Sequence, residues 1–167
     1  MRLITIFIIS VLCFIGSRKP EKIRLERIVF HTSRCFGSCP AYHSQIDSNK
    51  TFHLFAEYVS NTPDIATNLF NPDSSKMGYF TGRVSDTRYT ELESELQIIG
   101  LDNLQFDGVD CCDGSIKTII IYYNGKRKAL RSMRPPREAD KLISLLRYIT
   151  ESTSTHRTNQ KFEIEKE

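Results

Sequence analysis

The chain has 167 residues, of which 40% are hydrophobic and 26% charged, and a formal net charge of +3. That length allows one domain with a real core and excludes two of ordinary size, while the composition excludes a wholly disordered chain and a polytopic membrane protein. The near-neutral balance removes the usual drive for sequence-independent nucleic-acid binding, so no nucleic-acid partner is expected.

Residues 3–16 are apolar apart from Thr5 and Ser10, follow Arg2, and end at Ile15-Gly16-Ser17, where small residues suit a signal peptidase. The run is shorter than the roughly 20 residues of a stable membrane span, so residues 1–17 are expected to be a signal peptide. Arg18, Lys19, Lys22, Arg24 and Arg27 follow at once, and positive charge there opposes translocation. A short uncleaved anchor, acting as a membrane tether, is therefore the alternative. Cys13 does not make a lipoprotein cysteine, because Leu12 occupies the place of the small residue that such a signal requires.

Residues 23–32 begin with alternation and become continuously apolar at Ile28, Val29 and Phe30, the pattern of a strand buried on both faces. The loop Arg34-Cys35-Phe36-Gly37-Ser38-Cys39-Pro40-Ala41 follows. Residues 42–46 and 51–58 form a hairpin about the turn formers 47–50, with Phe52, Leu54, Ala56 and Tyr58 on one face. Residues 60–76 read as a long loop pinned by a few apolar side chains, and 78–84 as a further strand. Ser85 or Asp86 caps a helix in which Tyr89, Leu92, Leu96 and Ile99 recur every three or four residues, with Glu91, Glu93 and Glu95 assigned to its other faces and Gly100 as its stop.

Residues 104–106 are expected to form a brief strand before a second cysteine loop, Gly108-Val109-Asp110-Cys111-Cys112-Asp113-Gly114. Asn124-Gly125 is the preferred type I′ turn pair and joins the strands 116–123 and 126–132. Pro135-Pro136 opens a last helix striped by Ala139, Leu142, Leu146 and Ile149. Hairpins followed by one-sided helices define an α+β domain over residues 18–150, an antiparallel sheet with two helices packed on one face. Residues 151–167, almost without apolar side chains, are expected to be a polar, disordered tail.

Four cysteines remain beyond the signal, and four allow three complete pairings. Cys111 with Cys112 is disfavoured, because adjacent Cα atoms lie only 3.80 Å apart, below the usual disulfide range. Chain entropy favours a long link from Cys35 or Cys39 to the second loop, worth roughly 4.5 kcal/mol against roughly 2 for the local pair. Local concentration favours Cys35 with Cys39, which ranks first, and both links stay open.

The alternative to a disulfide is a zinc or thiol-redox site. His31, Cys35, Cys39 and His43 follow one another at a constant spacing of four, and all are acceptable zinc ligands, as are Cys111 and Cys112 if the loops meet. Gly37, Ser38 and Pro40 speak against the helix that would align such a repeat, and thioredoxin-type enzymes use two intervening residues rather than three. No hydrolase or nucleotide-binding signature is present, so no catalytic or cofactor-binding residue is assigned and no cofactor is expected beyond that alternative zinc. Asp110 and Asp113 read as a solvated turn, and the basic stretch Lys126, Arg127, Lys128, Arg131, Arg134 and Arg137 as an edge strand blunted by charge.

The segment Cys35-Phe36-Gly37-Ser38-Cys39-Pro40-Ala41-Tyr42 resembles the Cys-Phe-Gly-x-Cys-Pro-x-Tyr signature of a family of bacterial exported domains of unknown function. Leu25-Glu26-Arg27, Asp113-Gly114 with the hairpin after it, and Pro135-Pro136 with Leu142-Ile143 extend the likeness over about residues 23–150. The resemblance implies an exported domain, periplasmic, extracellular or envelope-associated, whose two motif cysteines pair with each other. It carries no catalytic roles. The function expected is a non-enzymatic binding module for an unknown protein or small-molecule partner.

Overall fold

A computed structural model describes residues 21–61, 70–108 and 113–166. The described residues form seven strands: β1 (Leu25–Thr32), β2 (Ala41–Asp47), β3 (Thr51–Tyr58), β4 (Gly78–Arg83), β5 (Lys117–Tyr123), β6 (Lys126–Ser132) and β7 (Thr155–Arg157). They form one sheet in the order β6-β5-β1-β2-β3-β4-β7, with every neighbouring pair antiparallel. The two helices are α1 (Asp86–Ile99) and α2 (Asp140–Ser152). This is the expected α+β architecture.

The hydrophobic pattern explains the layering. β1 lies inside the sheet between β5 and β2, and its continuous apolar run gives one set of side chains, Leu25, Ile28 and Phe30, to the helices and Val29 to the opposite face. Phe52, Leu54 and Ala56 of β3, Ile119 and Ile121 of β5, and Leu130 of β6 meet Leu92, Leu96, Leu142 and Leu146 in the main core. The α1 segment carries the chain from β4 on one side of β1 to β5 on the other, so it must cross this face.

Ser85 caps α1 by accepting from the Arg88 amide, and Gly100 ends it in the left-handed region at φ +69°. Glu95, assigned by its pattern to an outer face of α1, is instead buried. It sits one turn beyond Leu92 at the margin of the apolar stripe and meets Lys141 Nζ of α2 at 2.5 Å, so the ion pair makes its burial tolerable. Residues 104–106 form no strand: Leu104 is buried against the core without ladder partners. Pro136 precedes a 3-10 turn, Arg137–Ala139, and α2 proper begins only at Asp140.

The largest departure concerns residues 151–166, expected to be a disordered tail. Residues 151 and 152 finish α2, β7 adds to the edge of β4, and residues 158–166 lie as a strap over the sheet face opposite the helices. The composition is polar, but Phe162 and Ile164 stand two residues apart and so point to one side, where Ile164 packs with Val29 and Ile120. At the crossing into β7 the Ser154 carbonyl passes so close to Gly82 that a Cβ there would stand 2.5 Å from it. Glycine is required by that approach.

Residues 1–20, which include the expected signal segment and Cys13, lie outside the described residues, as do Asp110, Cys111 and Cys112. No described helix is long and apolar enough to cross a membrane.

Candidate functional site

Two neighbouring regions gather the side chains with chemistry. The first is the β1–β2 loop. Cys35 and Cys39 are bonded to each other, with Cα atoms 5.4 Å apart, and Gly37 between them has φ +146°, a conformation that L side chains rarely adopt. The Phe36 amide donates to the Asp113 carbonyl at 3.1 Å, and Ser33 exchanges backbone and side-chain bonds with Ser115 and Ile116. The β1–β2 loop therefore abuts Asp113, Ser115 and Ile116, while Cys111 and Cys112 lie outside the described residues. Arg34 lies over the Tyr58 ring at 3.9 Å, and the Thr32 hydroxyl bridges the Pro40 carbonyl and the Tyr42 amide, which fixes where β2 begins. Phe36, at the tip of the loop, is 90% exposed.

The second region is the strap-covered face. His31 and His43 are cross-strand partners on β1 and β2, and their Nδ1 atoms stand 2.8 Å apart. His31 Nε2 donates to the Glu165 carbonyl at 2.5 Å, which makes His31 Nδ1 the acceptor and His43 Nδ1 the donor. His43 Nε2 meets Glu57 Oε2 at 2.7 Å. Burial pushes the His31 imidazole down to about 4; its bond to the Glu165 carbonyl works against this and the charge of His43 adds to it. The result is a continuous line of hydrogen bonds from Glu57 through both histidines to the strap.

Glu165 anchors the strap a second time. Its carboxylate accepts from Tyr122 Oη at 2.5 Å, from Arg127 Nε and Nη2 at 3.1 and 2.9 Å, and from Arg27 Nη2 at 3.3 Å. The Tyr122 bond, followed by Arg127, holds this carboxyl below the usual range. Phe162 stacks on His53 at 4.6 Å and stands edge-on to Tyr79, itself stacked on Phe55. Between strap and sheet lies an open cleft of about 660 Å³ walled by Phe55, Tyr79 and Phe162, with Arg27, His43 and Gln45 on its polar side.

The structure thus divides the sequence-derived candidates. Cys35 and Cys39 use their sulfurs on each other, His31 and His43 pair on the opposite side of β1 and β2 from the helices, and no group of three or more metal-ligating side chains occurs among the described residues. Sequence reasoning missed Glu57, Tyr122, Phe162 and Glu165. The alternation of Phe162 and Ile164 was the one signal available for the strap, and it is too short to stand out from a polar segment.

A disulfide-clamped turn on a helix-backed antiparallel sheet, with polar and aromatic side chains gathered on the other face, defines a small α+β domain. Residues 26–153 match the model of a family described as a domain of unknown function, DUF6438, and the chain belongs to that family. The match ends before β7 and the strap, so the cleft joins a wall from the family domain to one that lies beyond the matched residues. No curated protein matches the chain.

Proposed function

We propose that this chain is an exported, non-enzymatic binding or envelope-associated module. The observation that carries the reading is the Cys35–Cys39 disulfide, because paired thiols persist in oxidising compartments outside the cytosol. The apolar segment 3–16 supports export, as does the resemblance of residues 35–42 to a signature of exported bacterial domains. The ring-walled cleft under the strap supports binding, since mixed aromatic and polar concavities of this size are what small ligands and short peptides occupy.

A second reading keeps a zinc or thiol-redox site where the loops meet, and the contact between Phe36 and Asp113 is the observation in its favour. Intact mass before and after reduction and alkylation, with metal content measured on the same sample, separates the two. The expected result is a metal-free chain in which Cys35 and Cys39 resist alkylation until reduced, recovered from the exported fraction. Bound zinc with alkylatable thiols at Cys35 and Cys39 after demetallation overturns the binding-module reading, and so does recovery of the chain only inside the cytosol. Rapid alkylation of one thiol below neutral pH would instead favour redox chemistry.

A further inference from the structure

A second, smaller cavity lies on the helix side of the disulfide loop, away from the strap. It has a volume of about 200 Å³ and is walled by Cys39 and Pro40, the Tyr42 ring, Ser115, and the side chains of Lys117 and Arg147. β5 supplies Lys117 and α2 supplies Arg147, so the fold brings two cations to one pocket from different elements.

Neither cation is neutralised. Among the described residues Arg147 makes no ion pair or hydrogen bond, and the one bond recorded for Lys117 is a 3.4 Å contact to the Met133 carbonyl. Burial lowers the Lys117 pKa from its ordinary value, and the neighbouring Arg147 charge adds to it. Glu151 faces the same pocket from α2 but forms an ion pair with neither cation; its charge acts on Tyr42, whose hydroxyl is pushed up by burial and then by Glu151. An anion entering here gains two charge-assisted partners, and Glu151 disfavours a second negative charge.

A third cavity of about 260 Å³ abuts this one, sharing Tyr42 and Glu151, and its floor is Leu54, Ala56, Val59 and Phe80. The rim of that third cavity is polar, with Ser75, Lys76, Thr150 and Thr153, but its floor is apolar, and a cationic pocket beside an apolar floor selects a molecule with both characters. We propose that the pocket beside the disulfide binds a monocarboxylate carrying a hydrocarbon body, its carboxylate between Lys117 and Arg147 and its apolar part across Tyr42 against Leu54, Val59 and Phe80. The site is separate from the strap cleft, so it stands or falls independently of that cleft.

The test is an amide-shift titration of residues 18–167 with octanoate, acetate, inorganic phosphate and 1-octanol at fixed ionic strength, repeated on Lys117→Met and Arg147→Met. Octanoate is expected to saturate, moving the amides of Tyr42, Lys117 and Val59 while those of His53 and Tyr79 stay still. Acetate and phosphate are expected to bind at least about tenfold more weakly, for want of the buried chain. Each substitution is expected to weaken octanoate by about tenfold, the value of a hydrogen bond to a charged group, with the unperturbed remainder of the spectrum reporting that the variant is folded. Saturation by 1-octanol at the same concentration, octanoate affinity unchanged in both folded variants, or no saturable shift overturns the site. Phosphate or acetate binding as tightly as octanoate overturns the apolar half of the assignment.

Discussion

The two faces of the sheet are built on different principles. Toward the helices the sheet presents Ile28, Phe30, Phe52, Leu54, Ile119 and Ile121 to two amphipathic helices, and the apolar layer is continuous. Toward the strap only Val29, Ile120 and Ile164 are buried as a cluster, and the rest of the cover consists of rings, histidines and charge-assisted bonds. One face derives its stability from area removed from water, the other from a small number of oriented polar contacts. The first arrangement rests mainly on apolar contacts that do not titrate and is intolerant of shape change. The second is the reverse, and such a face can open, titrate or exchange partners while the fold persists.

Four changes test that contrast, in descending order of effect. Truncating a fully buried ring on the helix side, Phe52→Ala, is expected to cost about 3–5 kcal/mol in urea unfolding, since the cavity adds to the lost transfer energy. Acidification is expected to act on the other face. His31 titrates near 4 in the fold against an ordinary value of 6.5, so the unfolded chain binds the extra proton first: the stabilisation is complete above about pH 6.5 and is lost as pH falls toward 4. The loss amounts to about 3 kcal/mol, and His31→Leu should flatten the urea midpoint across that window. A profile unchanged by the substitution would mean that His31 is not held in its neutral form.

Gly82→Ala places a methyl against the Ser154 carbonyl and is expected to cost about 1–3 kcal/mol, with hydrogen exchange accelerating in β7 and residues 158–166 but not in α1. Uniform acceleration would show that the strap and the helix layer unfold as one unit. The smallest effect is expected from Glu165→Gln, about 1 kcal/mol, because the amide keeps the shape and one acceptor while losing the paired charge toward Arg127 and Arg27. Its readout is the salt dependence of strap protection, which should weaken.

Much of the helix side was legible in the sequence because its signals are periodic. The alternation of Phe52, Leu54, Ala56 and Tyr58, the stripe of Tyr89, Leu92 and Leu96, and the Asn124-Gly125 turn each state an element locally, and Asn124 and Gly125 adopt the positive φ values that a type I′ turn requires. The local disulfide was readable from spacing and resemblance together, though chain entropy favoured a longer link. The strap side was not legible. Its cohesion comes from partners distant in sequence, from Arg127 with Glu165 at a separation of 38 to His31 with Glu165 at 134, and no local pattern records a bond of that kind. Glu95 shows the same limit at short range, since its pattern assigned it to an outer face of α1 and only the arrival of Lys141 makes its burial possible.

β4 gains its outer neighbour from β7, a strand of three residues that comes after both helices in the chain. Until those residues are in place, β4 presents open backbone donors and acceptors along an edge that any extended segment can join. The order in which the polypeptide emerges therefore matters: the stretch of synthesis between β4 and β7 is the interval in which chaperone cover, or freedom from crowding by other nascent copies, decides between folding and aggregation.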